Sequence, residues 1–401
     1  MHSLTSTAAH GAPPCTLLLD YTGVAGPGGR VLSRELVAAV DRTCPEGCRA
    51  ILLWPADEPV PTRMEHVQTL PVMRPRSLRR RRRWMARELP RQAHAAGADV
   101  VFVANGLVSG RLAAAYPTVA TTNNMLPFTP NQLRHFPLLS RMRLKMRFIR
   151  GATIRSLRRT DRAVLHSQHA LRVLSEDVAD LPEKTEVVLT GVPEDARLVE
   201  GEAPPPPPQV AGKRYFFYLS PFKRYKNHAK LIQAYELLLD AAVDPPELFL
   251  AGYPTDRGWL RELQRQVAGL PLAGRVHFLG EVERDQLRSW MHHATVNLFP
   301  SLCETASIIQ AEVLGLGGVL ACSDVPPMSE VAAYAAEYFD PESARSIAAA
   351  MARLSADEGR RDELRRLAAR RAAELSWDDC GRAIWTASQH ARRAFRERAH
   401  T

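Results

Sequence analysis

Ala294-Thr295-Val296-Asn297-Leu298-Phe299-Pro300-Ser301-Leu302-Cys303-Glu304-Thr305-Ala306-Ser307-Ile308-Ile309-Gln310-Ala311-Glu312 changes period within one short stretch. Residues 294 to 299 alternate β-branched, apolar and aromatic side chains as a strand does. Pro300 and Ser301 break that run, and Ile308, Ile309, Val313, Leu314 and Leu316 then recur at helical spacing. The reading is strand, turn, helix, with Glu304 just before the helix and Glu312 inside it. At ~1.5 Å rise per residue the two carboxylates stand roughly 12 Å apart along the axis. A nucleotide-sugar fits that span, its diphosphate over the exposed N–H groups of the helix start. One carboxylate would then reach the sugar hydroxyls and the other the ribose.

The surrounding chain repeats the pattern. Tyr215-Phe216-Phe217-Tyr218-Leu219-Ser220, Leu248-Phe249-Leu250-Ala251-Gly252 and Val276-His277-Phe278-Leu279-Gly280 read as buried strands, and Lys226-Asn227-His228 opens a helix after the first. Beyond the glutamates stand Ser323-Asp324-Val325-Pro326-Pro327-Met328-Ser329-Glu330-Val331 and Tyr338-Phe339-Asp340-Pro341. In this order the segments resemble the retaining glycosyltransferases of family 4, including their E-x7-E signature. The resemblance is dense over 214 to 341 and loose in the N-terminal half. It implies two facing, doubly wound Rossmann-like domains of the GT-B type, joined by a linker and closed by a C-terminal helix that crosses back to the first domain.

Composition agrees with such a chain. Its 401 residues exceed one comfortable core, and 45% hydrophobic with 24% charged residues suits a globular protein. No apolar run approaches the ~20 residues that span a bilayer. Asp20 ends the short run Thr16-Leu17-Leu18-Leu19, with no basic segment before it, so a cytoplasmic protein without a signal peptide is expected. Of six cysteines only Cys44 and Cys48 are close, with no second pair at zinc spacing, so no metal site is expected.

The net charge of +10 is clustered. Arg79 to Arg83 are consecutive arginines beside Trp84, and Arg141, Arg143, Lys145, Arg147 and Arg150 alternate with Met142, Leu144, Met146 and Phe148. A solvated helix face and an interfacial surface for anionic membrane lipid both suit this pattern. Neither a recognition motif nor an aromatic platform accompanies the runs, so nucleic acid is not an expected partner.

Strand candidates 16–20, 50–54, 100–103, 118–121, 163–165 and 185–189, with helices between several of them, imply a parallel sheet over residues 1–198. The glycine loop before a helix near Leu32 holds Gly26, Gly28 and Gly29, which can turn backbone N–H groups toward an anion or serve only as a turn. Pro204 to Pro208 mark a semi-rigid linker over 199–213. A second αβ series fills 214–375, and Ser376-Trp377-Asp378 opens a last helix within 376–401.

Glycosyl transfer without a metal needs cations and helix N-termini to hold the departing diphosphate. Lys226 is the candidate for that role. The family usually places an arginine a few positions earlier, where this chain has Ser220 and Pro221, so Lys223 or Arg224 is the substitute. The resemblance assigns Glu304 to the donor sugar and Glu312 to the ribose, with Gly280 and the turn Thr305-Ala306-Ser307-Ile308 lining the donor. Glycine is common in that turn in the family, so the departure questions donor identity.

In the first half, Asn124-Met125 stands where many relatives carry a His-Asp pair, so no histidine is available there. An amide binds a sugar hydroxyl but is no general base near neutral pH, which suits a front-face route. Ser167 resembles the family's serine at a helix head, and a plain N-cap explains it equally. His166 and His169 read as packing residues. The expected co-substrate is a nucleotide-diphosphate sugar, with no cofactor. The expected acceptor is a glycan or lipid-linked saccharide, and an anionic membrane surface is a further partner. The rival readings are a nucleotide-sugar epimerase on the same architecture and a non-catalytic partner that binds a nucleotide-sugar or glycan.

Overall fold

The structure is a computed structural model that describes residues 14–400 apart from 25, 61–63, 105–106, 134–135, 137–139, 199–202, 211, 242–243 and 270–273. The linker expected at 199–213 therefore lies partly outside the described residues. Its proline run is exposed in part, and Pro208–Val210 forms a 3-10 turn.

Two parallel sheets carry the chain. The first joins β1 (Thr16–Asp20), β2 (Arg49–Pro55), β3 (Val67–Val72), β4 (Val100–Val103), β5 (Thr118–Ala120), β6 (Arg162–Leu165) and β7 (Thr185–Val187) in the order β3-β2-β1-β4-β5-β6-β7. The second joins β8 (Tyr215–Leu219), β9 (Glu247–Ala251), β10 (Val276–Gly280), β11 (Val296–Phe299), β12 (Leu320–Ser323) and β13 (Glu337–Phe339) in the order β10-β9-β8-β11-β12-β13. Near-continuous apolar strands such as Leu17-Leu18-Leu19 and Phe216-Phe217-Tyr218 are buried on both faces, as parallel sheets between helix layers require. Each sheet reverses its winding once, between β1 and β4 and between β8 and β11. Those reversals open crevices at the carboxyl ends of the strands, where open α/β sheets take their ligands.

Two strands escape the sequence reading. β3 contains Pro71, which offers no N–H to a ladder, yet it sits at the sheet edge where that is tolerated. β12 is four buried residues without alternation, too short to separate from its neighbours by period. The helix expected near Leu32 starts earlier, at Pro27, because proline suits a first helical position.

The last helix, Trp377–Ala399, leaves the second domain and packs on the first. Its Trp377, Cys380, Ile384, Trp385, Ala387 and Ala391 enter one core with Leu17, Leu19 and Leu36. Trp385 Nε1 donates to Val40 O at 3.0 Å, and ion pairs Arg42–Asp378 (2.6 Å) and Arg398–Asp161 (2.7 Å) pin both ends. Gly381 is the point of closest approach. A Cβ there would lie 2.4 Å from Thr43 Oγ1 and 2.5 Å from Ala39 O. Gly381→Ala is expected to push the helix off its seat and lower stability by about 1–3 kcal/mol, the usual cost of overpacking. Urea denaturation of the variant measures it, and an unchanged midpoint would show that the seat is loose.

Candidate active site

Lys226 and Glu304 come from the two strands that flank the reversal of the second sheet. Lys226 ends the 3-10 turn Arg224–Lys226 after β8, and Glu304 lies in the turn after β11. Their side chains form an ion pair, with only 8% and 14% of each exposed. Sequence reading placed both in the site but not in contact. The lysine is fixed from behind, because Tyr218 Oη donates to its carbonyl at 2.8 Å. Its ammonium stands 5.5 Å from the Tyr225 ring centroid and 5.8 Å from that of Phe299. Asn227 then turns into the helix His228–Ala241 with φ 63, its Nδ2 donating to Pro341 O at 2.7 Å.

The structure separates the two substitute cations. Arg224 turns outward, stacked 4.2 Å over Trp259 and paired with Glu262 at 3.2 Å. Lys223 faces the Tyr225 ring at 5.7 Å and has no carboxylate partner among the described residues. Burial, and then the nearby Lys226, hold its ammonium below the usual lysine range, with Lys145 of the first domain adding to the same effect. Clustered like charges with a single carboxylate among them suit an anion.

Beside them starts the helix Ile308–Gly315. Its first N–H groups have no intrahelical acceptor, and Ser307, its N-cap, makes no side-chain cap bond. Ser307 sits at φ 29, in the left-handed region that glycine adopts without strain, and its buried hydroxyl has no partner. Thr305 is half-buried, and Ala306 O accepts from Thr190 Oγ1 at 3.0 Å. Ile308 packs against the first domain's core. This turn thus faces both domains.

Glu312 lies inside the helix, as expected, but is withdrawn from solvent. It is 3% exposed and paired to Arg284 Nη1 at 2.5 Å. Burial pushes its carboxyl up, Arg284 counters, and Asp195 and Glu35 push the same way as burial. Arg284 also forks onto Asp195, with Nε at 2.9 Å and Nη2 at 2.8 Å. Sequence reading missed Arg284. Its only signal is a lone cation in the acidic run Glu281-Val282-Glu283-Arg284-Asp285.

Other expected residues hold structural posts. Ser220 is fully buried, its hydroxyl on Pro221 O at 3.3 Å. Gly280 ends β10, and its carbonyl accepts from Gly252 N. Asn124 Oδ1 accepts from Leu126 N at 3.3 Å, closing a turn. Ser167 is a plain N-cap, accepting from Ala170 N at 3.1 Å. The N–H groups beyond it, at Gln168 and His169, are taken by the Glu330 carboxylate of the second domain, both at 2.7 Å. His166 is buried, which pushes its pKa down to about 4, as packing predicts. Gly26 caps the helix Pro27–Arg42 at φ 82, and a Cβ there would lie 3.9 Å from Tyr253 Oη across the cleft. Gly28 and Gly29 lie in the first turn of that helix. Among the described residues no three His, Cys, Asp or Glu side chains are grouped to hold a metal ion.

Comparison with known proteins places this geometry. Residues 28–196 match the family described as Glycosyltransferase Family 4, and residues 201–371 match Glycosyl transferases group 1. O-antigen chain mannosyltransferase B of Escherichia coli is 28% identical over 174 residues, or 43% of this chain. The match spans 45% of that relative's length. Among solved structures, sucrose-phosphate synthase from Thermosynechococcus elongatus superposes with TM-score 0.69 at 16% identity, covering 93% of this chain and 98% of the other. WaaG, a glycosyltransferase involved in lipopolysaccharide biosynthesis, gives TM-score 0.68 at 14% identity, covering 92% and 98%. HepE of Anabaena, solved with UDP and glucose, gives 0.63 at 13% identity, covering 93% and 98%. The two-sheet architecture is that of the GT-B fold, and with both halves of the chain matched the protein belongs to the glycosyltransferases of family 4.

Proposed function

We propose that the protein transfers a sugar, with retention, from a nucleotide-diphosphate donor to a glycan or lipid-linked saccharide acceptor. The observation that carries this reading is the Lys226–Glu304 pair across the reversal of the second sheet, beside a helix start and Lys223, which has no carboxylate partner among the described residues. The diphosphate would lie on the N–H groups at Ile308 and Ile309, with Lys226 and Lys223 on its oxygens. Glu304 would hold a sugar hydroxyl and Glu312 the ribose. Binding of UDP and glucose by HepE fits such a donor.

The reaction breaks the bond from the anomeric carbon to the phosphate oxygen and forms one to the acceptor oxygen on the same face. The acceptor's proton goes to the departing phosphate oxygen, so no side-chain base is required. Asn124, held in its turn, would at most orient a hydroxyl. Because the cations and N–H groups supply the positive charge, turnover is expected to persist in excess chelator. Its complete loss, restored by manganese or magnesium, would refute this mechanism.

The acceptor would arrive from an anionic membrane surface, on its cytoplasmic face. The described residues contain no helix long and apolar enough to cross a bilayer. The two basic runs instead meet side by side, Arg82 lying 5.3 Å over the Phe148 ring. Exposed Met73, Met142 and Leu144 stand among exposed Arg79, Arg80, Arg82, Arg141, Lys145 and Arg147. Part of the charge is spent inside the protein: Arg150 pairs with Asp177 at 2.7 Å, Arg76 with Asp57 at 2.8 Å, and Arg81 is half-buried near Asp20. What remains is a cationic, apolar-studded face suited to anionic lipid.

Two measurements follow. Lys226→Ala should cut turnover on the order of 100-fold, more than it weakens donor binding, because its charge matters most as the bond breaks. Unchanged turnover in a folded variant would remove Lys226 from the mechanism. Vesicles with anionic lipid should bind the protein more tightly than neutral ones. Salt should weaken that binding, and so should Leu144→Ser with Arg80→Gln. Equal partition onto both vesicle types would rule the surface out.

A further inference from the structure

Glu312 is held by a chain of alternating charges that runs between the domains. Glu35 and Arg34 on the helix Pro27–Arg42 meet at 3.2 Å, and Arg34 reaches Asp195 at 3.3 Å. Asp195 takes the fork of Arg284, whose remaining Nη1 reaches Glu312 Oε1. The turn Glu194–Ala196 that carries Asp195 is pressed on the helix of Glu312, since a Cβ at Gly315 would lie 2.5 Å from Ala196 O. The charged groups facing Glu312 are therefore Arg284, Asp195 and Glu35, with Arg34 behind Asp195. Only one of the three neighbours is a cation. Among the described residues no other donor reaches the carboxylate, so Oε2 is left for a ligand.

Building on the donor reading above, we propose that Arg284 is the positioning residue for ribose recognition: forked on Asp195, it holds Glu312 as a fixed, charged acceptor for the ribose hydroxyls. A buried carboxylate with two carboxylate neighbours cannot stay charged at neutral pH without its cation. An ionised carboxylate accepts hydrogen bonds from both hydroxyls of a diol more strongly than its protonated form does. Asp195 makes the arrangement rigid, because a planar guanidinium can bridge two carboxylates in one geometry and an ammonium cannot.

The test is the affinity of UDP and GDP for the full-length protein by calorimetry between pH 7 and 9.5, with the matching 2′,3′-dideoxynucleotide as control. Arg284→Gln should weaken whichever ribonucleotide the parent binds by about tenfold at pH 7, the scale of one charge-assisted hydrogen bond. As pH rises Glu312 recovers its charge, and the loss should shrink to about threefold or less by pH 9.5. The parent should show no such recovery, and the dideoxynucleotide should bind parent and variant alike. A loss that is equal for both nucleotides, or equal at every pH, overturns the proposal, since a merely structural arginine behaves that way. If Arg284→Gln does not fold, Arg284→Lys decides: a loss of about fivefold for the ribonucleotide alone supports the proposal, because a single-point ammonium replaces the fork, and an equal loss for both nucleotides overturns it. If Glu312→Gln leaves ribonucleotide affinity unchanged while the parent binds, this inference fails together with the ribose role of Glu312, and the nucleotide-donor reading stands. If the parent binds neither UDP nor GDP, the donor reading fails and carries the inference with it.

Discussion

A lysine and a glutamate, both largely withdrawn from water, offset the cost of burial by pairing. Lys226 and Glu304 do so across the one place in the second sheet where the winding reverses. The rest of the site depends on that constraint. Tyr218 fixes the lysine's backbone, Pro300 and Ser301 end β11 early enough to free Glu304, and Ser307 tolerates a left-handed backbone so that the helix can start beside the pair. One charge pair thus ties the topology of a sheet to the place where a phosphate would lie.

The second organising feature is how the domains touch. Contacts between them combine apolar packing, with Cys303 and Ile308 in clusters of the first domain and Val192 and Ala196 in that of the second, with directional polar contacts. Glu330 caps the helix Gln168–Ser175 of the other domain, Thr190 holds Ala306, and the chain from Glu35 to Glu312 passes through Asp195 and Arg284. The crossover helix adds to the apolar part, with Trp377 and Trp385 in the first domain's core. The Ser167 helix head, a candidate for an anionic substrate group, is already occupied by a carboxylate of the protein itself.

Fold class was legible because buried parallel strands announce themselves. Leu17-Leu18-Leu19, Phe216-Phe217-Tyr218 and Leu248-Phe249-Leu250 are apolar runs bounded by turn residues. β3 and β12 were not, since an edge proline and a four-residue strand carry too little period. Within the site, Lys226, Glu304 and Glu312 stood out by spacing and resemblance. Their partners did not. Nothing in a linear sequence says that Arg284 meets Glu312, or that Arg224 turns to Glu262 while Lys223 does not, because those outcomes depend on side-chain direction across separate elements. The backbone partners of Ser220 and Ser167 were hidden for a related reason. A hydroxyl at a strand end or helix head looks the same whether it serves a ligand or its own backbone.

Backbone hydrogen exchange with and without a bound nucleoside diphosphate addresses the central claim most directly, since it reports where the ligand sits without requiring the acceptor. With UDP or GDP present, amides in 223–228 and 304–310 are expected to be protected, because the diphosphate would lie on the helix start between Lys226 and Glu304. Protection confined to the first domain, around the glycine loop at 26–29, would contradict the account and move the donor site to the other sheet.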